Sequence, residues 1–277
     1  MAEIIQYSTL ASHYDGPFGS GHPWLSAGMG YLILTKDSSL IAIDGGHPAD
    51  AENFLGLIEE TSPTATVDAW IITHPHIDHF SVICEICEKY SHRVKIKKII
   101  FRFPDEFRSN EGEDILQEIA KMEAAVAASG AEKITPSIGD TINVGSCEIK
   151  FLFTPEDAKN IHGKNPLSLI FSVSEDGRRA LFTGDAYLES LCEVWDRFNG
   201  DLKFDVLQLP HHGLCDTGHR HLYTEAAPET VLIPTSKAGY HAMLREEYAD
   251  YIAKQKEVEL QAKNVYKSFE GTVRFTL

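Results

Sequence analysis

Six consecutive residues, His74, Pro75, His76, Ile77, Asp78 and His79, carry four potential metal ligands directly after the apolar run 69–72. Imidazole nitrogen and carboxylate oxygen are donors that borderline divalent cations such as zinc accept. A run this dense constrains the fold, because the strand feeding it must end where a site can be built. Side chains alternate along an extended segment, so His74 and His76 point to one side and can grip one ion together. Asp78 and His79 follow after a bend and can reach a second. The segment reads as half of a two-cation site at a strand end.

The surrounding sequence has the pattern of an α/β protein. Runs 30–35 and 39–43 are apolar and β-prone, read as a hairpin, and are closed by Asp44, Gly45 and Gly46. A helix is expected over 50–60, with Phe54, Leu55, Leu57 and Ile58 on its buried face. Then come a strand at 67–73, the ligand loop, a helix near 80–90, a strand at 97–103 and a long amphipathic helix at 114–128 capped by Gly130. The order recurs in the second half: a hairpin from 141–144 and 147–153, strands at 167–172 and 179–183, a helix at 188–197 and a strand at 206–209. After the turn at His211, His212 and Gly213 follow a strand at 230–234, a helix at 244–256 and a last strand at 271–277. Two similar strand-rich halves indicate an internal structural duplication, and with no dividing linker residues 1–277 read as a single domain.

The later ligand-type residues also stand just beyond strands. Asp185 follows the strand 179–183 and Gly184, and can offer one oxygen to each of two cations. His211 and His212 follow the strand 206–209; one of the pair can coordinate metal while the other contacts substrate or donates a proton. His241 is a further candidate beyond a strand end, His219 and His221 read as surface residues, and His22 and His47 can line a cleft. Cys84 and Cys87 form a C-x-x-C, but they fall among Val82, Ile83 and Ile86 at helical spacing. No second C-x-x-C exists, so both read as core helix residues.

Charge narrows the partners. With 25 basic and 41 acidic residues the formal net charge is -16, which disfavours a protein that holds nucleic acid mainly through phosphate contacts. The first ten residues lack the pattern of a secretory signal, and no segment approaches the roughly twenty apolar residues of a membrane span. Five scattered cysteines do not look like a disulfide framework. The expectation is a soluble cytoplasmic protein acting on a small molecule, its oligomeric state open.

Taken in order, Asp44-Gly45-Gly46, the run from Thr73 to His79, Thr183-Gly184-Asp185 and the later histidines resemble the motifs of the metallo-β-lactamase fold superfamily of hydrolases, over roughly residues 30–241. Asn165-Pro166-Leu167-Ser168-Leu169, with Thr183 to Ala186 and Leu209 to Gly213, is similar to the hydrolase-like domain of bacterial DNA-uptake (competence) channel proteins. Phosphodiesterase relatives, including phosphorylcholine esterases, share this style of motif. The resemblance implies a four-layer αββα sandwich of two similar halves and two divalent cations, zinc first and manganese or iron as alternatives. It implies that His74 and His76 hold one cation, Asp78 and His79 the other, that Asp185 bridges, and that His211 or His241 completes the set. His211 is taken as the ligand, Asp78 as also orienting the nucleophilic hydroxide, His212 and His241 as proton donors, and Asp44 as a brace for the ligand loop. One departure stands out. Many members place a histidine soon after a Thr-Pro pair, whereas Thr154 and Pro155 are followed by Glu156 and Asp157, leaving His162 or Asn165 as replacements. The implied activity is hydrolysis of a phosphodiester or related anionic small molecule. A metallo-nuclease and a non-catalytic metal-binding regulatory protein with a degenerate site are the competing readings.

Overall fold

A computed structural model describes residues 1–14, 27–103, 113–157, 163–198, 201–213, 223, 225–245 and 256–277. In chain order the first half contributes β1 (Glu3–Gln6), β2 (Gly30–Leu34), β3 (Leu40–Asp44), α1 (Ala51–Thr61), β4 (Thr66–Val67), β5 (Ala69–Ile71), α2 (Ile77–Lys89), β6 (Lys95–Ile96), β7 (Lys98–Ile100), α3 (Glu113–Ser129) and β8 (Glu132–Ile134). The second half contributes β9 (Thr141–Val144), β10 (Cys147–Phe153), β11 (Ile170–Glu175), β12 (Arg178–Phe182), α4 (Leu188–Phe198), β13 (Val206–Gln208), β14 (Thr230–Ile233), α5 (Lys237–Met243), β15 (Asn264–Lys267) and β16 (Val273–Thr276).

Two seven-stranded sheets form, in the orders β16-β1-β2-β3-β5-β7-β8 and β15-β14-β13-β12-β11-β10-β9, with β4 and β6 as a small separate pair. In the first sheet β16, β1, β2 and β3 run antiparallel and β5, β7 and β8 continue parallel from β3. In the second, β9 to β12 are antiparallel and β13, β14 and β15 continue parallel from β12. The halves are therefore built alike, except that the first takes its outer antiparallel strand from the far end of the chain.

Strand periodicity builds the layers, because alternate side chains leave opposite faces. On β5 Ala69 and Ile71 enter the core between the sheets, with Phe151, Phe171 and Phe182, while Trp70 and then Ile72 face Phe54, Val82 and Met122 on the other side. On β12 Ala180 and Phe182 enter the inter-sheet core and Leu181 faces Leu191 and Val194 of α4. Three apolar seams thus separate four layers, helices outside and sheets inside. Each fully buried large side chain in them stabilises the fold by roughly 1.5–3 kcal/mol. No helix among the described residues is long and apolar enough to cross a membrane.

The structure adjusts several boundaries. The helix after the ligand loop begins at Ile77, not near residue 80, with His76 as its N-cap and Asp78 in its first turn. Residues 164–168 turn rather than extend, through Leu167 N–H to Lys164 C=O (3.2 Å) and Ser168 N–H to Asn165 C=O (3.0 Å), and β11 starts at Ile170. Beyond β14, Ser236 caps α5 at once, its Oγ accepting from Gly239 N–H at 3.0 Å. The expected helix at 244–256 falls largely on residues outside those described.

Candidate metal centre

The ligand-type residues gather beyond the ends of β3, β5, β12 and β13. Two triads form: His74, His76 and Asp185, and Asp78, His79 and His212, each with its donor atoms within 4.8 Å of one another. His74 Nε2 faces His76 Nδ1 at 2.9 Å. Asp185 Oδ2 lies 3.7 Å from His74 Nε2 and 3.4 Å from both His79 Nε2 and His212 Nε2, so one carboxylate addresses both triads. Asp78 Oδ2 stands 3.2 Å from His212 Nε2 and 3.7 Å from His79 Nε2. His76 is half-buried and the other five residues are buried.

A shell of hydrogen bonds aims these donors. Asp44, fully buried at the end of β3, accepts from Thr73 N–H, Thr73 Oγ1 and His79 Nδ1, each at 2.8 Å. Thr73 Oγ1, its proton given to Asp44, accepts from His74 Nδ1 at 3.1 Å. His212 Nδ1 donates to the Pro234 carbonyl at 2.7 Å. In all three rings Nδ1 carries the proton and Nε2 is left to the site, the arrangement metal-binding histidines use. Gln208, buried at the end of β13, accepts from Thr183 N–H (2.8 Å) and donates to Gly184 C=O (3.1 Å), while Ser168 Oγ accepts from Asp185 N–H (3.0 Å). Gly184 turns with φ +54°, and a Cβ there would stand 2.9 Å from Ser168 Cβ and 3.0 Å from Thr73 Cβ, so only glycine lets Asp185 approach this closely.

Burial and charge then work against each other. Burial lowers the His74 ring well below the ordinary imidazole value and brings His76 down to about 4. Burial also opposes ionisation of Asp185 and Asp78. For Asp185 the charges of His212 and then His79 outweigh it, and for Asp78 those of His79 and then His212, so both carboxyls stay well below their usual range. Reciprocally, although burial pulls them down, His79 is raised well above its ordinary value and His212 up to about 10, with Asp185 the leading cause in each. Three buried carboxylates in one pocket need positive charge. Asp185 Oδ1 and His79 Nε2 are buried without any hydrogen-bond partner, and such orphaned donor atoms fit divalent cations held between the triads.

Set against the sequence expectations, His74, His76, Asp78, His79 and Asp185 come together, and Asp44 braces the loop from behind. The structure brings His212, not His211, into the second triad. Both residues have left-handed backbone, φ +48° and +56°, and that double turn sends the second ring inward. His211 Nε2 instead accepts from Asn165 Nδ2 at 3.0 Å, and its ring lies 5.2 Å from that of Tyr187. His241 is not brought to the triads: the early start of α5 leaves it exposed on that helix's last turn, beside Tyr240. Glu156 is held away by Arg102 Nη1 (3.1 Å), Ser137 Oγ (2.7 Å) and Ile138 N–H (2.8 Å). His22, His162, His219 and His221 lie outside the described residues. Cys84 and Cys87 are buried in α2, where burial raises their thiols to about 12 and about 11 and makes them unreactive. His47 gains weight: its Nε2 is buried without a partner, and after burial, which lowers its pKa, the nearest influences are Asp78, Asp50 and His212.

Residues 26–235 match the sequence model of the metallo-beta-lactamase superfamily, and the chain belongs to that superfamily. It is 29% identical over 177 residues to ComE operon protein 3 of Bacillus subtilis (strain 168), a match covering 63% of this chain and 21% of that protein. The chain therefore spans about a fifth of that curated relative's length. Its fold is similar to that of Zn(2+)-bound PqqB from Methylobacterium extorquens, with a TM-score of 0.60 at 11% identity over 100% of both chains. It is similar too to a diphosphatase of the PhnP family, with a TM-score of 0.53 at 12% identity over 99% of this chain and 98% of that one. At such identities the likeness shows the fold alone.

Proposed function

We propose that the chain is a metal-dependent hydrolase whose two-cation centre activates water against a phosphodiester or a related anionic small molecule. The observation that carries this reading is Asp185, whose Oδ2 faces both triads while its Oδ1 is buried without a partner. His74 and His76 would hold one cation, zinc foremost, Asp78, His79 and His212 a second, with Asp185 common to both. Such cations, when bound, supply hydroxide at neutral pH and stabilise the oxyanion charge that grows as it attacks.

The chain's own residues do the rest. Asp44 and the Pro234 carbonyl keep His79 and His212 in one tautomer. Asp78 can accept a hydrogen bond from the attacking water. His211, its Nε2 occupied by Asn165, keeps its proton on Nδ1, and the proton-donor role expected of His212 passes to it. Lys164 is close enough for its charge to lower the His76 pKa, after the larger effects of burial, Asp78, Asp185 and His79, and so brings positive charge to the first triad. The fold shared with a diphosphatase makes phosphate esters the first class to test, while the net charge of -16 weighs against a nuclease. The free thiols of Cys84, Cys87, Cys147 and Cys192 accord with the cytoplasm.

A second reading, a metal-binding regulatory protein without turnover, has one observation in its favour: with Glu156 engaged elsewhere, the first triad has two histidines and a shared carboxylate. Metal analysis combined with bis-p-nitrophenyl phosphate hydrolysis, with and without chelator, separates the two. The lead reading expects about two cations per chain, chelator-sensitive turnover, and loss of about a thousandfold or more in kcat for Asp185→Asn. Full metal loading with no chelator-sensitive hydrolysis of any phosphate ester would overturn it in favour of the second.

A further inference from the structure

The two triads are unequally furnished. Among the described residues, Asp78, His79, His212 and the shared Asp185 stand around the second, and His74, His76 and Asp185 around the first. The turn at 164–168, whose Ser168 bonds the Asp185 backbone, carries a buried oxygen with no hydrogen-bond partner. Asn165 Oδ1 has no hydrogen-bond partner, although the other end of the same amide is fully used, Nδ2 donating to His211 Nε2 at 3.0 Å and to the Tyr187 hydroxyl at 3.2 Å. With Nδ2 on His211 and Tyr187, Oδ1 is the end of the amide left over.

The neighbours of Asn165 bracket its position. Its backbone carbonyl accepts from Ser168 N–H, and Ser168 Oγ accepts from Asp185 N–H, both at 3.0 Å. The His211 backbone N–H donates at 3.1 Å to the carbonyl of Gly184, the residue before Asp185. On its other side Lys164 stands close enough to influence His76. The amide thus stands between the turn that carries Asp185 and the ring of His211. Buried amide oxygens rarely go unpaired, because the lost hydrogen bond costs about 1–3 kcal/mol.

Building on the two-cation reading above, we propose that Asn165 is a ligand of the first cation through its side-chain carbonyl oxygen, completing that cation's donor set where Glu156 is turned away. A consequence follows for the metal. A carbonyl oxygen is a harder donor than imidazole and suits manganese or magnesium better, so the first position tolerates harder cations than a third histidine would, while the second position, with two imidazoles and a carboxylate of its own, does not change.

The test uses the demetallated full chain, titrated with Zn2+ and separately with Mn2+, with stoichiometry and affinity read by calorimetry and thermal melting of each metal-free variant as the fold control. The wild type should take up two cations. Asn165→Ala should keep one at wild-type affinity and bind the other at least about tenfold more weakly, Asn165→Asp should retain both, and Asn165→His should raise the ratio of zinc to manganese affinity at the weaker position. Two cations at unchanged affinities in Asn165→Ala would overturn the assignment alone. So would a tenfold loss in His162→Ala with Asn165→Ala unaffected, which gives the donor role to His162. A wild-type chain that binds fewer than two cations would overturn the two-cation reading and this assignment with it.

Discussion

Asp44 shows how much one side chain can decide. Its two oxygens order Thr73 and His79 together, and through Thr73 the tautomer of His74. Replacing it with asparagine puts a donor against either Thr73 N–H or His79 Nδ1, since both oxygens accept. Asp44→Asn is therefore expected to weaken cation binding by about 10–100-fold, read by competition against a chromophoric chelator; an affinity equal to the wild type would remove Asp44 from the role given to it. Gly184→Ala is expected to cost about 2–4 kcal/mol, combining left-handed strain with overpacking against Ser168 and Thr73, measured by urea unfolding. The ligands of the first half were legible because four donors sit in six residues. Which of two adjacent histidines turns inward was not, because that choice rests on left-handed backbone at both His211 and His212, and the same residue type at both positions gives no sign of which ring faces the site. The roles of Gln208 and Ser168 were equally hidden: each is one polar residue in an apolar run, Ser168 being noticed only as part of a motif, and its bonds to the Asp185 turn exist only once the sheet is assembled.

Among the elements, α2 carries Asp78 and His79 on its first turn, so its docking sets the second triad. It docks where Gly45 leaves room: a Cβ at that position would stand 2.7 Å from Val82 Cβ. Gly45→Ala should destabilise the protein by about 1–3 kcal/mol, and in a Val82→Gly background, which removes the Val82 Cβ, the cost should fall by about 1 kcal/mol or more. Additive costs in the double variant would mean that α2 meets β3 elsewhere. At the far end of the sandwich Glu175 closes β11 and ties the sheets together, accepting from Ser146 Oγ, from Lys36 N–H (3.1 Å) and from the Cys147 thiol (3.6 Å), with the N-terminal ammonium 3.6 Å away. Burial pushes its carboxyl up, but the Ser146 and Lys36 hydrogen bonds bring it below its ordinary value of 4.5. A depressed carboxyl adds stability above its unfolded value and loses it as pH falls through the folded one. Glu175→Gln should thus cost about 1–3 kcal/mol near neutral pH, and the gap from wild type should close as pH falls below the ordinary carboxyl value of 4.5 and through the depressed one, as followed by melting temperature. The long apolar strands and helices could be read from periodicity. The short strands β8 and β15 could not, because they pair at sheet ends and are partly exposed, so no apolar pattern marks them.

For the molecule as a whole, the duplicated arrangement of the two sheets was visible as a repeated order of elements, whereas the crossing of the last strand into the first sheet was not, since nothing local to residues 271–277 names their partner. That strand seals the sandwich: β16 pairs with β1 over four residues, Leu277 is buried, and its N–H donates to Ala2 C=O at 2.8 Å. Removing residues 273–277 should cost at least about 3 kcal/mol in buried apolar surface and leave β1 as a bare edge. Gel filtration of the truncated chain should show higher-order species, and a monodisperse peak with an unshifted melting temperature would show that β16 adds little.

The pairing of Glu3 with Thr276 also fixes an order of events in time. Every strand of the second sheet lies between residues 141 and 267, so that sheet can be complete while the first still waits for its outermost member. A chain growing on the ribosome carries β1 unpaired on one side until residue 276 emerges, and during that interval its open edge depends on chaperones or on speed to avoid the wrong neighbour.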